Sequence, residues 1–234
     1  MKKTKKWLVA AIFLMPVTVW AQKIAPTVSY TDTKGIAQET KAISDGQAPL
    51  DAMFKANPTD IDNLSPAFEW HFLKKTDTGR DELFVRYEEN TQYTFNESGT
   101  YDIVLKMLDE KGELLDTDSI NIFVAESWLE FPNAFSPNDD GLNDIYKAKK
   151  EYKSIVEFHA IIINRWGQKL YEWSDPAGGW DGTYNGKPVK DGVYFVIVKA
   201  RGGDGKEYNI RKDVNLLRKH LERGATEYFV VESS

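Results

Sequence analysis

The chain has 234 residues, of which 41% are hydrophobic and 28% charged, with 30 basic and 36 acidic residues and a formal net charge of −6. The apolar content suffices for one large or two small globular units. The acidic balance argues against nucleic acid, which requires a basic face, and against adhesion to anionic lipid. With no cysteine, disulfides, a thiol nucleophile and a lipidated lipobox are excluded.

The first 21 residues have the three-part pattern of a secretory signal peptide. Four lysines precede the apolar run Leu8–Val19, and Val19-Trp20-Ala21 fits a signal-peptidase site. The apolar run of about a dozen residues is shorter than the roughly 20 that a spanning helix needs. We therefore predict cleavage before Gln22 and an exported protein, with an uncleaved membrane anchor as the alternative.

The next hundred residues change texture at Leu50. Residues 22–49 have few large apolar side chains and no clear period, so we predict a leader that is partly extended and partly mobile. Short strand patterns separated by turn residues follow, chiefly Ala67–Leu73, Gly99–Leu108 and Leu114–Val124. Strands at this spacing, without helical stretches between them, predict an antiparallel sandwich over residues 50–126.

This first half resembles a PKD-type immunoglobulin-like domain. The resemblance is carried by Phe68-Glu69-Trp70-His71-Phe72, by Tyr93-Thr94-Phe95 and by Ser98–Leu105. The usual Gly-Asp-Gly turn after the first motif is replaced by Leu73–Arg80. Domains of this type mostly act as spacers or adhesion modules, so the resemblance implies no catalytic residue.

The second half has strand patterns as well. Val156–Asn164 becomes apolar on both faces at its end, which predicts a central strand covered on both sides. Leu170–Trp173 is expected to pair with it, and Asn185-Gly186 is the strongest signal for a tight hairpin. Gly192–Ala200 and Lys206–Leu217 complete the set. The sequence therefore predicts a second all-β domain.

Four ordered motifs in this half closely resemble the gliding-motility-associated C-terminal domain of Bacteroidetes, the type B sorting domain of type IX secretion. The motifs are Asn133–Asp144, Ile162–Gln168 with Tyr171, Trp180–Lys187 with Asp191–Phe195, and Val214–Arg218. Two departures stand out. Asp139 replaces the usual glycine, and the chain continues beyond Arg218 through Lys219–Ser234, which would mask a sorting signal read as a free C-terminal strand.

The first of these motifs is rich in side-chain oxygens. Asn138, Asp140 and Asp144 occupy positions 3, 5 and 9 of an EF-hand-like loop, and the carbonyl of Leu142 occupies position 7. These four residues are a candidate calcium site, although the bidentate glutamate at position 12 is absent. The alternative is an Asx-rich turn whose side chains accept hydrogen bonds from local backbone amides. No other cofactor is expected.

Two further motifs supply candidate partner-binding residues, namely Arg165, Trp166, Trp180 and Asp181. Tryptophan and arginine are enriched among interface hot spots. The alternative is structural: Trp166 and Trp180 would close the ends of the sandwich while Arg165 pairs with Asp181.

Evidence for catalysis is lacking in the sequence. The three histidines form no H-x-x-x-H pair, no G-x-S-x-G occurs, and no constellation of residues passes as an active site, so we predict that the protein is not an enzyme. Asp118-Ser119-Ile120 matches the short O-glycosylation motif of exported Bacteroidetes proteins, which makes Ser119 a candidate acceptor.

We therefore expect an all-β protein of two tandem immunoglobulin-like β-sandwich domains. The expected order is a signal peptide (1–21), a leader (22–49), a PKD-like sandwich (50–126), a sorting-domain-like sandwich (127–218) and a C-terminal extension (219–234). The resemblance implies a non-enzymatic cell-surface or outer-membrane-associated protein whose partner is a SprF/PorP-like outer-membrane barrel or the type IX translocon. The alternative is a glycan-binding or adhesion module that uses Trp173 and Trp180.

Overall fold

The computed structural model describes residues 22–61 and 64–218, and every regular element in these ranges is a β-strand. The predicted all-β class with immunoglobulin-like sandwiches is confirmed. No helix in the described ranges is long and apolar enough to cross a membrane. The predictions of a signal peptide at residues 1–21 and of a C-terminal extension at 219–234 lie outside the described residues.

The first domain consists of two packed sheets. One sheet has the strand order β2-β1-β4-β7 and the other β3-β9-β8-β5-β6. The strands are β1 (Thr27–Thr31), β2 (Ala37–Thr40), β3 (Ala42–Gly46), β4 (Leu50–Lys55), β5 (Ala67–Thr76), β6 (Gly79–Arg86), β7 (Asn90–Phe95), β8 (Gly99–Leu108) and β9 (Leu114–Val124).

The core of this domain follows from the alternation of buried and more exposed residues along β5. Phe68, Trp70 and Phe72 are buried on one strand, and their intervening neighbours are partly exposed. Because side chains of a strand point alternately to opposite faces, one apolar residue in two suffices to build the inner face. The indole N–H of Trp70 donates to the Glu88 carbonyl at 3.0 Å, so its burial leaves no unpaired donor.

The predicted leader at residues 22–49 is wrong, because these residues form β1, β2 and β3 of the first sandwich. Val28 is fully buried and pairs with Phe54 of β4, while Ile43 on β3 is 2% exposed. Strands β1 and β3 each contribute one fully buried apolar side chain, and β2 contributes none. The local sequence therefore has no visible period, and it is the long-range pairing that orders it.

The second domain is built on one five-stranded sheet with the order β10-β18-β17-β12-β13, with two small ribbons, β11-β14 and β15-β16. The strands are β10 (Ala134–Phe135), β11 (Tyr146–Lys147), β12 (Ile155–Ile163), β13 (Lys169–Trp173), β14 (Gly179–Trp180), β15 (Thr183–Tyr184), β16 (Lys187–Pro188), β17 (Gly192–Gly202) and β18 (Glu207–Leu216).

Three features of this domain were predicted from the sequence. Strand β12 lies between β17 and β13, as expected for a central strand. The Asn185-Gly186 hairpin is confirmed, since Tyr184 pairs with Lys187 and both turn residues have positive φ, 51° and 73°. Both faces of β12 were expected to be covered, and the structure differs on one of them. Ala160 and Ile162 are fully buried, but the outward residues Ile161 and Ile163 are only half-buried.

A tyrosine closes the same kind of corner in both domains. The hydroxyl of Tyr101 donates to the Glu97 carbonyl at 2.8 Å, and the hydroxyl of Tyr194 donates to the Lys190 carbonyl at 2.7 Å. In each case the acceptor lies four residues upstream, which is the tyrosine corner of immunoglobulin-like sandwiches. Burial raises the pKa of both phenols and keeps them protonated as donors.

The two domains meet at Ser154, which is 2% exposed and has a φ of 47°. Its hydroxyl donates to the Ala125 carbonyl at 2.6 Å and accepts the Ala48 amide at 3.1 Å, both in the first domain. Its own carbonyl accepts the Gly203 amide at 2.9 Å. Ser154 therefore joins two segments of the first domain, at Ala48 and Ala125, to its own segment and to the Gly203 turn of the second domain.

The connecting segment is tied down by Ser127. Its amide and hydroxyl both donate to the Asp204 carboxylate, at 3.0 and 2.7 Å, and its hydroxyl lies 2.9 Å from that of Tyr208. Partial burial raises the pKa of Asp204, but these hydrogen bonds and one from the Lys206 amide outweigh it, so the pKa is lowered overall. The junction is thus closely bonded rather than a loose tether.

Candidate functional site

The turn between β12 and β13 is built around Asn164, which is only 9% exposed. Its side-chain carbonyl accepts the amides of Trp166 and Gln168, each at 3.0 Å, in the manner of an Asx-turn. Gly167 has a φ of 81°, a conformation that residues with a Cβ rarely adopt. The motif Asn164–Gln168 therefore encodes a fixed turn.

This turn presents Trp166 to solvent. The indole is 76% exposed, and the Arg165 guanidinium lies 4.5 Å from its ring centroid. Such a cation–π pair restricts both side chains without burying them. A large aromatic surface and a fixed cation are thus displayed on an ordered turn, an arrangement suited to binding a partner.

A groove of about 660 Å³ runs from this turn along the end of the sheet. Besides the turn it is lined by Tyr184, Asp191, Val193 and Phe195, so its walls are partly apolar and partly charged. The side chain of Gln168 donates to the Tyr184 hydroxyl at 3.1 Å and joins the turn to the β15-β16 hairpin. The groove thus connects two of the four sequence motifs.

Arg218 fixes the far side of this groove. Its guanidinium donates to the Asp191 carboxylate at 2.9 Å and to the Gly182 carbonyl at 3.0 Å, and its amide donates to Asp191 at 3.0 Å. A Cβ on Gly182 would lie 3.1 Å from that guanidinium. In the sequence, Arg218 is only the last residue of a motif. Its role in joining distant loops depends on the tertiary structure.

Trp180 does not belong to this exposed site, so its assignment as a partner-binding residue is wrong, whereas Asp181 is exposed and its assignment stays a prediction. Trp180 is fully buried, and its indole N–H donates to the Thr183 carbonyl at 2.7 Å. The Asp181 carboxylate accepts the amide and the hydroxyl of Thr183 at 2.9 and 2.8 Å. Among the described residues no ion pair joins Asp181 to Arg165. The alternative of a structural, buried tryptophan therefore holds for Trp180, whereas Trp166 is exposed.

The aromatic residues suggested for glycan stacking are also buried. Trp173 is 8% exposed and Trp180 is fully buried. A sugar ring stacks on an aromatic face that is open to solvent, so neither residue can supply that platform. The glycan-binding hypothesis therefore loses both of its named anchors.

The Asn138–Asp144 loop uses its oxygens as backbone acceptors. The Asp144 carboxylate accepts the amides of Asn138, Asp139 and Gly141 at 3.0, 2.8 and 2.8 Å, and Asp140 accepts the Leu142 amide at 2.8 Å. Within the described ranges, no group of three or more Asp, Glu, His or Cys side chains is arranged to hold a metal ion. The Asx-rich alternative accounts for the loop, and calcium binding at Asn138, Asp140, Leu142 and Asp144 stays a prediction.

We expect Asp144→Ala to lower the free energy of unfolding by about 1–2 kcal/mol, because three amides lose a charged acceptor. The loss should appear in full in a chelating buffer, as measured by urea denaturation. Asp139→Asn is the matched control, since Asp139 adjoins the same turn, its carboxylate accepts none of these three amides, and asparagine tolerates the φ of 62° at this position. A loss seen only when calcium is added would instead assign the loop to the metal.

Ser119 lies exposed on β9, opposite Val104 of β8. The Asp118 carboxylate accepts the Ser119 amide at 2.7 Å, so the motif's two polar residues are adjacent and accessible. Glycosylation at Ser119 stays a prediction that intact-mass measurement of the exported protein would test.

Comparison with protein families identifies the second domain. Residues 129–212 match the family described as the CHU_C type IX secretion signal domain. This match covers most of the second domain and confirms the resemblance seen in the sequence. A secretion signal domain of this kind implies export and association with the cell surface or the outer membrane. Such domains are typically not catalytic.

No curated protein matches the chain. Three solved structures resemble it at 12–14% identity: fibronectin(III)-like modules of Clostridium thermocellum CbhA, dimeric latent PorU from Porphyromonas gingivalis, and Bacteroides ovatus SGBP-B in complex with a mixed-linkage heptasaccharide. Their TM-scores are 0.26, 0.26 and 0.27. The matches cover 76%, 85% and 75% of this chain and 90%, 20% and 42% of theirs. Because these TM-scores are low, the three likenesses carry no argument about this protein.

Proposed function

We propose that this protein is a non-enzymatic exported component associated with type IX secretion, and that its secretion signal domain docks on an outer-membrane protein of that system through the Arg165–Trp166 turn. The single observation that carries the site is a 76% exposed tryptophan on a turn that Asn164 holds in place. The indole is paired with the Arg165 guanidinium and lies beside a partly apolar groove, and tryptophan and arginine are enriched in interface hot spots.

The family match supports the class of partner. A type IX secretion signal domain is recognised by secretion machinery, and a SprF/PorP-like barrel or another translocon component is the partner that the sequence resemblance implies. The first domain is a spacer or adhesion module in this proposal. Its PKD-like character rests on the sequence motifs alone.

The test is co-purification of the tagged full-length protein from a host with a type IX system. We expect Trp166→Ala and Arg165→Glu to reduce recovery of the outer-membrane partner at least tenfold, because hot-spot residues of this kind carry about 2 kcal/mol or more. Tyr87→Ala is the matched control, since Tyr87 is 71% exposed on the first domain and should leave recovery unchanged.

Circular dichroism and the melting temperature must show that both variants keep the fold. Wild-type recovery of the barrel by both variants would refute the proposed docking surface.

A further inference from the structure

The groove beside the Arg165–Trp166 turn has apolar walls that are open to solvent. Its volume is about 660 Å³, and the apolar side chains that line it are Trp166, Leu170, Val189, Val193 and Phe195. Trp166, Val193 and Phe195 are all exposed. Because burying apolar surface stabilises a complex, these walls favour an apolar segment of a partner over a strongly hydrated ligand.

Most neutral polar groups of the groove already have partners within the fold. Asn164 accepts two amides of its own turn, and Gln168 donates to the Tyr184 hydroxyl at 3.1 Å. The Tyr194 hydroxyl donates to the Lys190 carbonyl at 2.7 Å. A ligand therefore meets few free hydrogen-bonding groups here, and the charged side chains decide which partner the groove selects.

The charged residues that line the groove are two cations and one anion. The anion, Asp191, is neutralised by Arg218, whose guanidinium donates to it at 2.9 Å. Among the described residues, neither Arg165 nor Lys190 forms an ion pair. Both cations lie near Tyr194: burial raises the pKa of that phenol, the Arg165 charge opposes the rise, and Lys190 supplies its hydrogen-bond acceptor.

The charges around the groove do not cancel these two cations. Lys169 and Glu172 form an ion pair with each other. The remaining neighbours are two cations and two anions, namely Lys187, Arg211, Asp181 and Asp213. The groove is therefore locally basic, although the chain as a whole has a formal net charge of −6.

We propose that this groove binds an apolar segment of the outer-membrane partner that carries an aspartate or a glutamate, and that Arg165 and Lys190 hold its carboxylate. This inference rests on the docking function proposed above and names the chemistry that the partner presents. The acidic remainder of the chain repels a carboxylate, so charge complementarity confines such a segment to the groove and fixes its orientation.

The first test is carbodiimide cross-linking of the tagged full-length protein to the partner with which it co-purifies. The reagent joins a lysine amine to a carboxylate in direct contact as an amide, and the reagent itself takes up the water that is released. We expect mass spectrometry to identify Lys190 joined to an aspartate or glutamate of the partner. Lys150 is the matched control, because it is exposed in the same domain outside the groove and should give no such product.

Charge variants provide an independent measurement. Lys190→Glu should lower recovery of the partner at least about fivefold, and Lys190→Arg should stay within about twofold of wild type, because the contact requires a cation rather than an amine. Lys150→Glu changes the net charge equally and should leave recovery unchanged. Raising NaCl from about 50 to about 500 mM should weaken the wild-type complex more than that of Lys190→Glu, because salt screens exposed charges.

The outcomes separate this inference from the docking function. Full recovery by Lys190→Glu without a cross-link at Lys190 would overturn the inference, while reduced recovery by Trp166→Ala would leave the docking function standing. Normal recovery by Trp166→Ala would overturn both. A product that joins Lys190 to a carboxylate of a second copy of this chain would also overturn the inference, because the groove would then be a surface for self-association.

Discussion

Replacing Trp180 by alanine should lower the free energy of unfolding of the second domain by about 3–5 kcal/mol, the usual cost of deleting a large core aromatic side chain. Trp180 is fully buried, with ring centroids of Phe135 and Tyr194 at 5.4 and 5.1 Å. Its neighbour Gly179 has no side chain that could enter the space, so the cavity would persist.

Native-state hydrogen exchange measures the effect of this substitution on each domain separately. Amides of β12 and β17 should lose protection, whereas those of β5 and β8 should retain theirs, because the two apolar cores are distinct clusters. Trp166→Ala is the matched control and should change stability by no more than about 0.5 kcal/mol, as is usual for an exposed substitution. Equal losses for the two tryptophans would contradict the division into a core residue and a surface residue.

Ser154→Ala should destabilise the contact between the domains. The substitution removes the acceptor for the Ala48 amide and the donor to the Ala125 carbonyl, and an unsatisfied buried group costs about 1–3 kcal/mol. The expected result is loss of exchange protection at the Ala48 and Gly203 amides, together with a lower melting temperature. Both changes follow from opening of the junction.

Ser154→Gly provides an informative comparison for that variant. Glycine loses the same two hydrogen bonds but adopts a φ of 47° without the strain that a Cβ causes. We therefore expect the glycine variant to be less destabilised than the alanine variant by about 1 kcal/mol. Ser44→Ala, at an exposed serine of β3, should be neutral. A neutral Ser154→Ala would show that the junction does not depend on this hydroxyl.

Most strands of both domains were predictable because their signal is local. Alternation along β5 and β8 identifies the inner face, and the Asn185-Gly186 pair identifies a hairpin from two residues. The strands within residues 22–49 were missed because β1 and β3 bury one apolar side chain each and β2 buries none. Their order comes from pairing with β4 and β9, which are distant in sequence.

The candidate site was only half predictable, for a related reason. Trp166 and Trp180 occur in similar turn-rich motifs, and composition alone does not separate them. The separation depends on which way each turn faces: Asn164 directs Trp166 away from the sheet, and the β11-β14 pairing directs Trp180 into the core. Arg218 joins Gly182 to Asp191, a contact between residues more than 25 positions apart that no local pattern contains.

The sequence by itself determined the all-β class, most strands and the secretion-signal family of the second domain, because alternation and turn chemistry act over a few residues. Only the tertiary structure decided which tryptophan is exposed, that Asp144 serves three backbone amides, and that Ser154 joins the domains. The burial of Trp180 and the contact at Ser154 depend on segments far apart along the chain, whereas Asp144 accepts from nearby amides in a loop whose sequence also fitted a metal site. The energies of the first two are set by burial and by long-range hydrogen bonds, which become defined only when the sheets have packed.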